Sequence, residues 1–207
     1  LLVSFNSHST RSAEPRRRPR QQRSRELVAR ILDEAAHLFE TLGYHDTTTN
    51  HVADAAGVSI GSLYQYFPNK DALLVGLAER HLDEAEPRLA ALAEQLRQQQ
   101  PSVGDLCRAF ITEVADLNRS ARLHHLLWNA PRTPALVERL ARLDAALIAD
   151  VAWHLGWLGH PAELAMLRAR VLVTAIESSI HSIDPDEDQD EQIGELIRLA
   201  TIYASAA

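Results

Sequence analysis

A chain of 207 residues, 46% of them hydrophobic, has material for one large or two small domains with a true core, and its single cysteine, Cys107, excludes an intrachain disulfide framework and is expected as a small core residue. The net charge of −7 is unevenly spread: residues 1–80 carry ten Lys and Arg against nine Asp and Glu, the remainder eleven against nineteen, so acid is concentrated away from the N-terminal end. The apolar opening at 1–5 is too short for a signal peptide and no run approaches the ~18 apolar residues of a membrane span, which points to a soluble cytoplasmic protein; the missing initiator Met points to a trimmed or partial chain.

Residues 1–22 lack apolar periodicity and hold Arg11, Arg16, Arg17, Arg18 and Arg20, with Pro15 and Pro19 discouraging helix, so this stretch reads as a flexible basic arm. Such an arm either lies along phosphates, adding affinity with little sequence information, or is simply a solvated tail. From 24 to 42 the apolar positions Leu27, Ile31, Ala35, Leu38 and Leu42, flanked by Val28 and Phe39, recur at three and four residues, which predicts a packed helix that Gly43 ends. Beyond 70 the pattern stays helical: 70–84 and, after an interruption or kink at Pro87, 88–100, then 102–118, 120–129, 134–156, 161–182 and 189–204. No alternating strand pattern, internal repeat or phosphate-binding glycine loop appears.

The organising stretch is 47–70, TTTNHVADAAGVSIGSLYQYFPNK. Asp46, Thr47 and Thr48 offer capping oxygens just before the apolar positions Val52, Ala53 and Ala56, and Gly57 can close that helix in the left-handed conformation without side-chain strain. Ser59 then caps a second short helix reaching about Gln65, with Leu63 turned inward and Ile60, Gly61, Ser62 and Tyr64 outward. Two short helices joined by a glycine-bearing turn make a helix-turn-helix, whose second helix fits a major groove about 12 Å wide. Together with the preceding helix, the ordered series Ala35, Phe39, Gly43-Tyr44, Thr48-Thr49, Val52-Ala53, Ala56-Gly57-Val58-Ser59, Leu63-Tyr64, Tyr66-Phe67, Lys70 and Leu73-Leu74 resembles the N-terminal domain of the TetR family of transcriptional regulators, over roughly a quarter of the chain.

That resemblance implies an all-α fold of about nine helices: an arm at 1–22, a three-helix DNA-binding domain at 23–68, and a connecting helix with a C-terminal ligand-binding and dimerisation domain at 69–207. It implies that Thr48, Ser62, Tyr64, Tyr66 and Lys70 grip phosphates, as hydroxyls and an ammonium are suited to do. Asn50, Ile60, Gly61 and Gln65 fall at base-facing places, where an amide can pair with adenine and Ile60 can pack on a thymine methyl. Ser59, the cap, belongs to the same surface. Expected partners are a pseudo-palindromic double-stranded operator, a second copy joined through the last two helices, and a small-molecule effector; no cofactor, metal or membrane is expected. Helix 161–182 is apolar on more than one face and 189–204 carries the stripe Ile193, Leu196, Ile197, Ala200 and Tyr203, which suits a seam between subunits or an ordinary core. Phe110, His124, Trp128, Trp153, His154, Trp157, Met166, Arg170 and Glu177 lie on the helices that enclose the effector cavity in such proteins and are candidate ligand contacts.

Rival chemistries leave weaker traces. Residues 57–61 spell G-x-S-x-G, a hydrolase signature, but that motif needs a strand-to-helix elbow and a helix is predicted before it. Ten histidines include no helical metal pair; His124 and His125 are adjacent and diverge on a helix. A regulator that activates or ignores effectors, and a helical ligand-binding protein or enzyme without gene control, are the alternatives to a ligand-released repressor.

Overall fold

A computed structural model describes residues 20–118, 121–128, 130–182 and 189–206, and all its regular elements are helices. In chain order these are α1 (Arg20–Thr41), α2 (Thr49–Ala55), α3 (Ile60–Tyr64), α4 (Lys70–Gln99), α5 (Val103–Leu117), α6 (Ala121–Trp128), α7 (Pro134–Trp157), α8 (Ala162–His181) and α9 (Gln189–Ser205). Most of the predicted arm lies outside the described residues. Its last three positions, from Arg20, already belong to α1.

Sequence chemistry sets the ends of these helices. Thr48, Ser59, Asn69, Ser102 and Thr133 each have extended backbone and accept a hydrogen bond from the amide three residues on, which satisfies a donor the helix cannot reach. Gly57, at φ +63°, takes the left-handed turn between α2 and α3 that a side chain would strain.

Two expectations are corrected. The stripe of α1 ends early: Ile31, Ala35 and the flanking Phe39 are buried, joined by Leu32, whereas Leu42 is half exposed at the open end of the helix. Pro87 does not interrupt its region, because α4 runs unbroken from Lys70 to Gln99. Proline deprives the Asp83 carbonyl of its helical donor, but Asp83, Glu84, Pro87 and Arg88 all face solvent, where water takes that donor's place, while Leu82, Ala85 and Leu89 continue the buried stripe beneath.

Packing forms two main cores joined by a smaller one. The first gathers Ile31 and Phe39 of α1, Val52 of α2, Leu63 and Phe67 around α3, Leu73 and Leu77 of α4, and reaches Leu127 of α6 and Leu136 of α7. The second gathers Ile111 of α5, Leu155 of α7, Leu172 and Ile176 of α8 and Leu196 and Ala200 of α9, with Cys107 among them. Between them sit Ala85, Leu89, Leu147 and Val173. Helix α4 therefore has its first half in one core and its second half beside the other. Arg139 of α7 clamps its middle: Nε and Nη2 reach the Glu86 carboxylate at 2.6 and 2.9 Å and Nη2 also reaches Asp83 at 2.7 Å. No helix among the described residues is long and apolar enough to cross a membrane.

Candidate functional site

The helix-turn-helix rests on a pinned turn between α1 and α2. Thr47 is fully buried and its hydroxyl lies 2.7 Å from the Gly43 carbonyl and 3.1 Å from that of Leu38. Lys70, at the start of α4, donates to the carbonyls of Tyr44, His45 and Thr47, and its ammonium lies 4.2 Å from the centre of the Tyr44 ring. The Tyr44 hydroxyl donates to Asp71; burial, then that carboxylate, push its pKa up to about 12. An ammonium has three protons, and here three carbonyls take them. In this structure the side chain read from the sequence as a phosphate grip thus works as a staple of the turn that leads into α2.

The outer face of α2 and α3 is made of hydroxyl pairs. Ser59 Oγ and Ser62 Oγ are 2.8 Å apart, Thr49 Oγ1 and Tyr64 Oη 3.1 Å, and Ser24 Oγ and Tyr66 Oη 2.8 Å. Each pair holds two O–H protons and spends one internally, so each keeps one proton to offer outward. Tyr64 and Tyr66 are 49% and 38% exposed, whereas Phe67 is buried, so the three aromatics divide cleanly between surface and core. Thr48, Asn50, Ser59, Gly61 and Gln65 are exposed and Ile60 and Ser62 partly so. The caps Thr48 and Ser59 accept from the amides of His51 and Ser62 at 3.1 Å, which leaves their own O–H groups unspent by capping. Ser24 and Thr49 were not singled out from the sequence as contacts; only the fold brings them beside the tyrosines.

A second site lies among α4, α5, α7 and α8. An apolar cavity of about 110 Å³ is walled by leucines including Leu82, Leu89, Leu117, Leu140 and Leu147, with Phe110, and bears His81, Asn118, Arg132, Asp144, Glu177 and His181. Burial, reinforced by the neighbouring Asp144, pushes the Glu177 carboxyl up to about 7. Burial, then the neighbouring His81 and Arg132, lower His181 to about 4, so its ring is neutral at physiological pH. Asn118 Nδ2 donates to the Val114 carbonyl at 2.7 Å, and its buried Oδ1 neighbours the His81 ring.

The profile of bacterial regulatory proteins of the tetR family matches residues 31–77, the stretch from the middle of α1 through the start of α4. An uncharacterized helix-turn-helix transcriptional regulator encoded in the dhlA 5′ region of Xanthobacter autotrophicus is 29% identical over 135 residues, 56% of this chain and 67% of that protein. The regulator RutR of Escherichia coli K12 is 38% identical over 65 residues, 30% of this chain, so the match spans about a third (31%) of RutR. A TetR/AcrR-family regulator from Thermobifida fusca superposes with a TM-score of 0.68 at 21% identity, covering 85% of this chain and 97% of that one. Residues 31–77 therefore form a DNA-binding domain of the TetR type, and the chain as a whole has the fold of that family's regulators. The G-x-S-x-G run is accordingly part of its helix-turn-helix: α2, not a strand, precedes it, and Ser59 caps α3.

The ligand candidates are unevenly placed. Phe110 and Glu177 line the large cavity. Buried His154 instead lines a smaller one with Cys107 and Phe110; its Nδ1 lies 2.8 Å from the Asp150 carbonyl and its buried Nε2 is unpaired. Trp153, Trp157, Met166 and Arg170 are corrected: all four are exposed, the first three at 43%, 46% and 42%, and none lines either cavity. They stand on the outer sides of α7 and α8, a register that counting aromatics on a helix does not reveal. The side chains of His124 and Trp128 lie outside the described residues. Sequence reading missed Asp144, His81 and His181, although a signal existed: Asp144 shares a stripe with Leu140 and Leu147, His81 lies among Ala78, Leu82 and Ala85, and His181 follows Glu177 by one helical turn.

Proposed function

We propose that this regulator is a homodimeric cytoplasmic repressor, without catalytic activity, that binds a pseudo-palindromic operator and lets go when a small molecule fills the α4–α5–α7–α8 cavity. The observation that carries this reading is the unbroken α4, whose residues Leu73 and Leu77 sit in the core of the helix-turn-helix while Leu82, Ala85 and Leu89 wall the cavity. A ligand that prefers one tilt of α4 also prefers one position of α3, and that difference in affinity is all that release requires. The exposed hydroxyls of Thr48, Ser62, Tyr64 and Tyr66 face phosphates, with Asn50, Ile60, Gly61 and Gln65 towards base edges and Ser59 between them. Lys70 orders the turn, and the basic arm adds phosphate contacts. Dimerisation is supported by the outward apolar side chains Leu167, Val171, Leu199 and Ile202, which are 44–65% exposed on α8 and α9, behind the inward Ile176, Ile180, Leu196 and Ile197.

Selection of bound fragments from genomic DNA, with the mass of the protein measured alone and on the recovered site, tests the proposal. Two inverted half-sites about 34 Å apart, bound by a pair of chains, are expected. A chain that stays monomeric and shows no preference among duplexes refutes it.

A further inference from the structure

We infer that the ligand of this domain is a neutral molecule with an apolar tail and one hydroxyl, a linear alcohol in its simplest form, whose O–H is received by His154 in the smaller cavity. The inference rests on reading the α4–α5–α7–α8 cavity as the effector site. Phe110 and Leu147 line both spaces, so these two side chains are the partition between them. The large cavity, about 110 Å³ and walled by leucines, suits a tail. The small one, about 30 Å³, has room for little more than a head group; a single water takes about 10–15 Å³ by the same measure.

His154 sets the chemistry of that head. The residue is 3% exposed, and its Nδ1 lies 2.8 Å from the Asp150 carbonyl. A carbonyl only accepts, so Nδ1 carries the proton and the lone pair falls to Nε2. That nitrogen is buried and has no hydrogen-bond partner among the described residues. A buried acceptor left unmatched is costly, and a donor on the ligand relieves that cost. The other polar side chains of the small cavity are Asp150, whose carboxylate pairs with Arg97, and Cys107, whose thiol is a weak donor. The rest of its lining is aliphatic, with Leu96, Val151 and Ile176 among it. A lone water is poorly matched to such walls, since it wants about two to four polar partners. An ion is matched worse: an ammonium or a carboxylate would give up its hydration there, and the one carboxylate of the lining already has its cation. A neutral hydroxyl supplies the proton that Nε2 lacks, while its tail passes between Phe110 and Leu147 into the large cavity. Binding moves no proton from one molecule to the other and breaks no covalent bond.

Titration of the intact protein with hexanol and with methyl pentyl ether, an isomer that keeps the oxygen and lacks the O–H, tests this. Affinity is read by calorimetry and the His154 ring nitrogens by nitrogen magnetic resonance. Hexanol is expected to bind about tenfold tighter than the ether, the gain of matching a buried acceptor. It should also move the Nε2 resonance upfield, as accepting a hydrogen bond does. His154→Phe should erase the preference while still binding both compounds, and the wild-type comparison decides the matter even where that variant fails to fold. An ether that binds as tightly as the alcohol, a hexanol complex with an unmoved Nε2 resonance, or no hexanol binding at all overturns the alcohol assignment and leaves the large cavity to effectors of another class. Hexanol that moves the resonance yet leaves affinity for the selected duplex unchanged upholds the alcohol site and refutes the effector reading instead.

Discussion

The two sites of this regulator are built on opposite plans. The α2–α3 face is assembled from a short stretch of chain and turned outward: its polar groups are hydroxyls that satisfy one another in pairs and keep a proton to spare. The cavity is assembled from four helices far apart in the chain and turned inward, with its few polar groups, among them His81, Asp144, Glu177 and His181, set into a wall of leucines. A surface that must meet any phosphate can be satisfied in advance because water completes it. An interior cannot call on water, so burial there decides which groups carry charge. The difference teaches how each site is completed: the outer face by water until a partner replaces it, the interior by its own walls.

The largest expected effects set the two regions against each other through their fully buried residues. Phe39→Ala should destabilise the first core by about 3–5 kcal/mol and Leu155→Ala the second by about 2–5 kcal/mol, both read by denaturant unfolding. With probes in each half, Phe39→Ala should abolish duplex binding first; a single coincident loss in both variants would erase the distinction between regions. Gly76→Ala sharpens it with a smaller change. A Cβ there would stand 2.9 Å from Phe67 Cε1 and 3.2 Å from Leu32 Cδ2, so α4 must move off the helix-turn-helix core, at a cost of about 1–3 kcal/mol in stability. If Gly76→Ala unfolds like the wild type, α4 is not seated as tightly as this packing requires.

Acid–base behaviour separates the regions more gently. The Glu177 carboxyl is raised from 4.5 to about 7, so the folded state holds its proton longer than the unfolded state and the associated stability is lost as pH climbs from about 4.5 through about 7. His181, lowered from 6.5 to about 4, does the reverse, and its contribution is lost as pH falls from about 6.5 through about 4. Over the shared range the two trends oppose each other; just above it only Glu177 acts. Melting temperature should therefore decline from slightly acid to slightly alkaline pH, and Glu177→Gln should flatten that decline. An identical slope in the variant would detach it from this carboxyl. Smallest of all, Tyr64→Phe leaves fold and net charge alone and removes one outward proton. Operator affinity should drop by about 0.5–1.5 kcal/mol with an unchanged salt dependence, and a full-strength complex would show that this hydroxyl pair meets no phosphate.

Much of the first region was legible because its signals are local. Capping hydroxyls at Thr48 and Ser59, the left-handed Gly57 and the inward Leu63 act on neighbours within a turn or two, so the positions alone carry the geometry. Lys70 shows the limit. Its residue type and place suit a phosphate, yet three carbonyls of the α1–α2 turn hold it, and they reach it only through the packing of α1 against α4. Similarly, Trp153, Trp157 and Met166 looked like cavity walls because they are large and apolar on the relevant helices, but their angular position points them away.

From the sequence by itself came the helical class, the two short helices with their turn, and the family they resemble, since periodicity and capping depend on bonds spanning a few residues. Only the tertiary structure decided that α4 passes Pro87 unbroken, that Arg139 ties its middle to α7, and that Asp144, Glu177 and Asn118 belong to one cavity. The reason is physical: whether a proline bends a helix depends on which face meets water, and whether a carboxyl keeps its proton depends on neighbours brought from other helices, neither of which is written in the order of residues along one strand of chain.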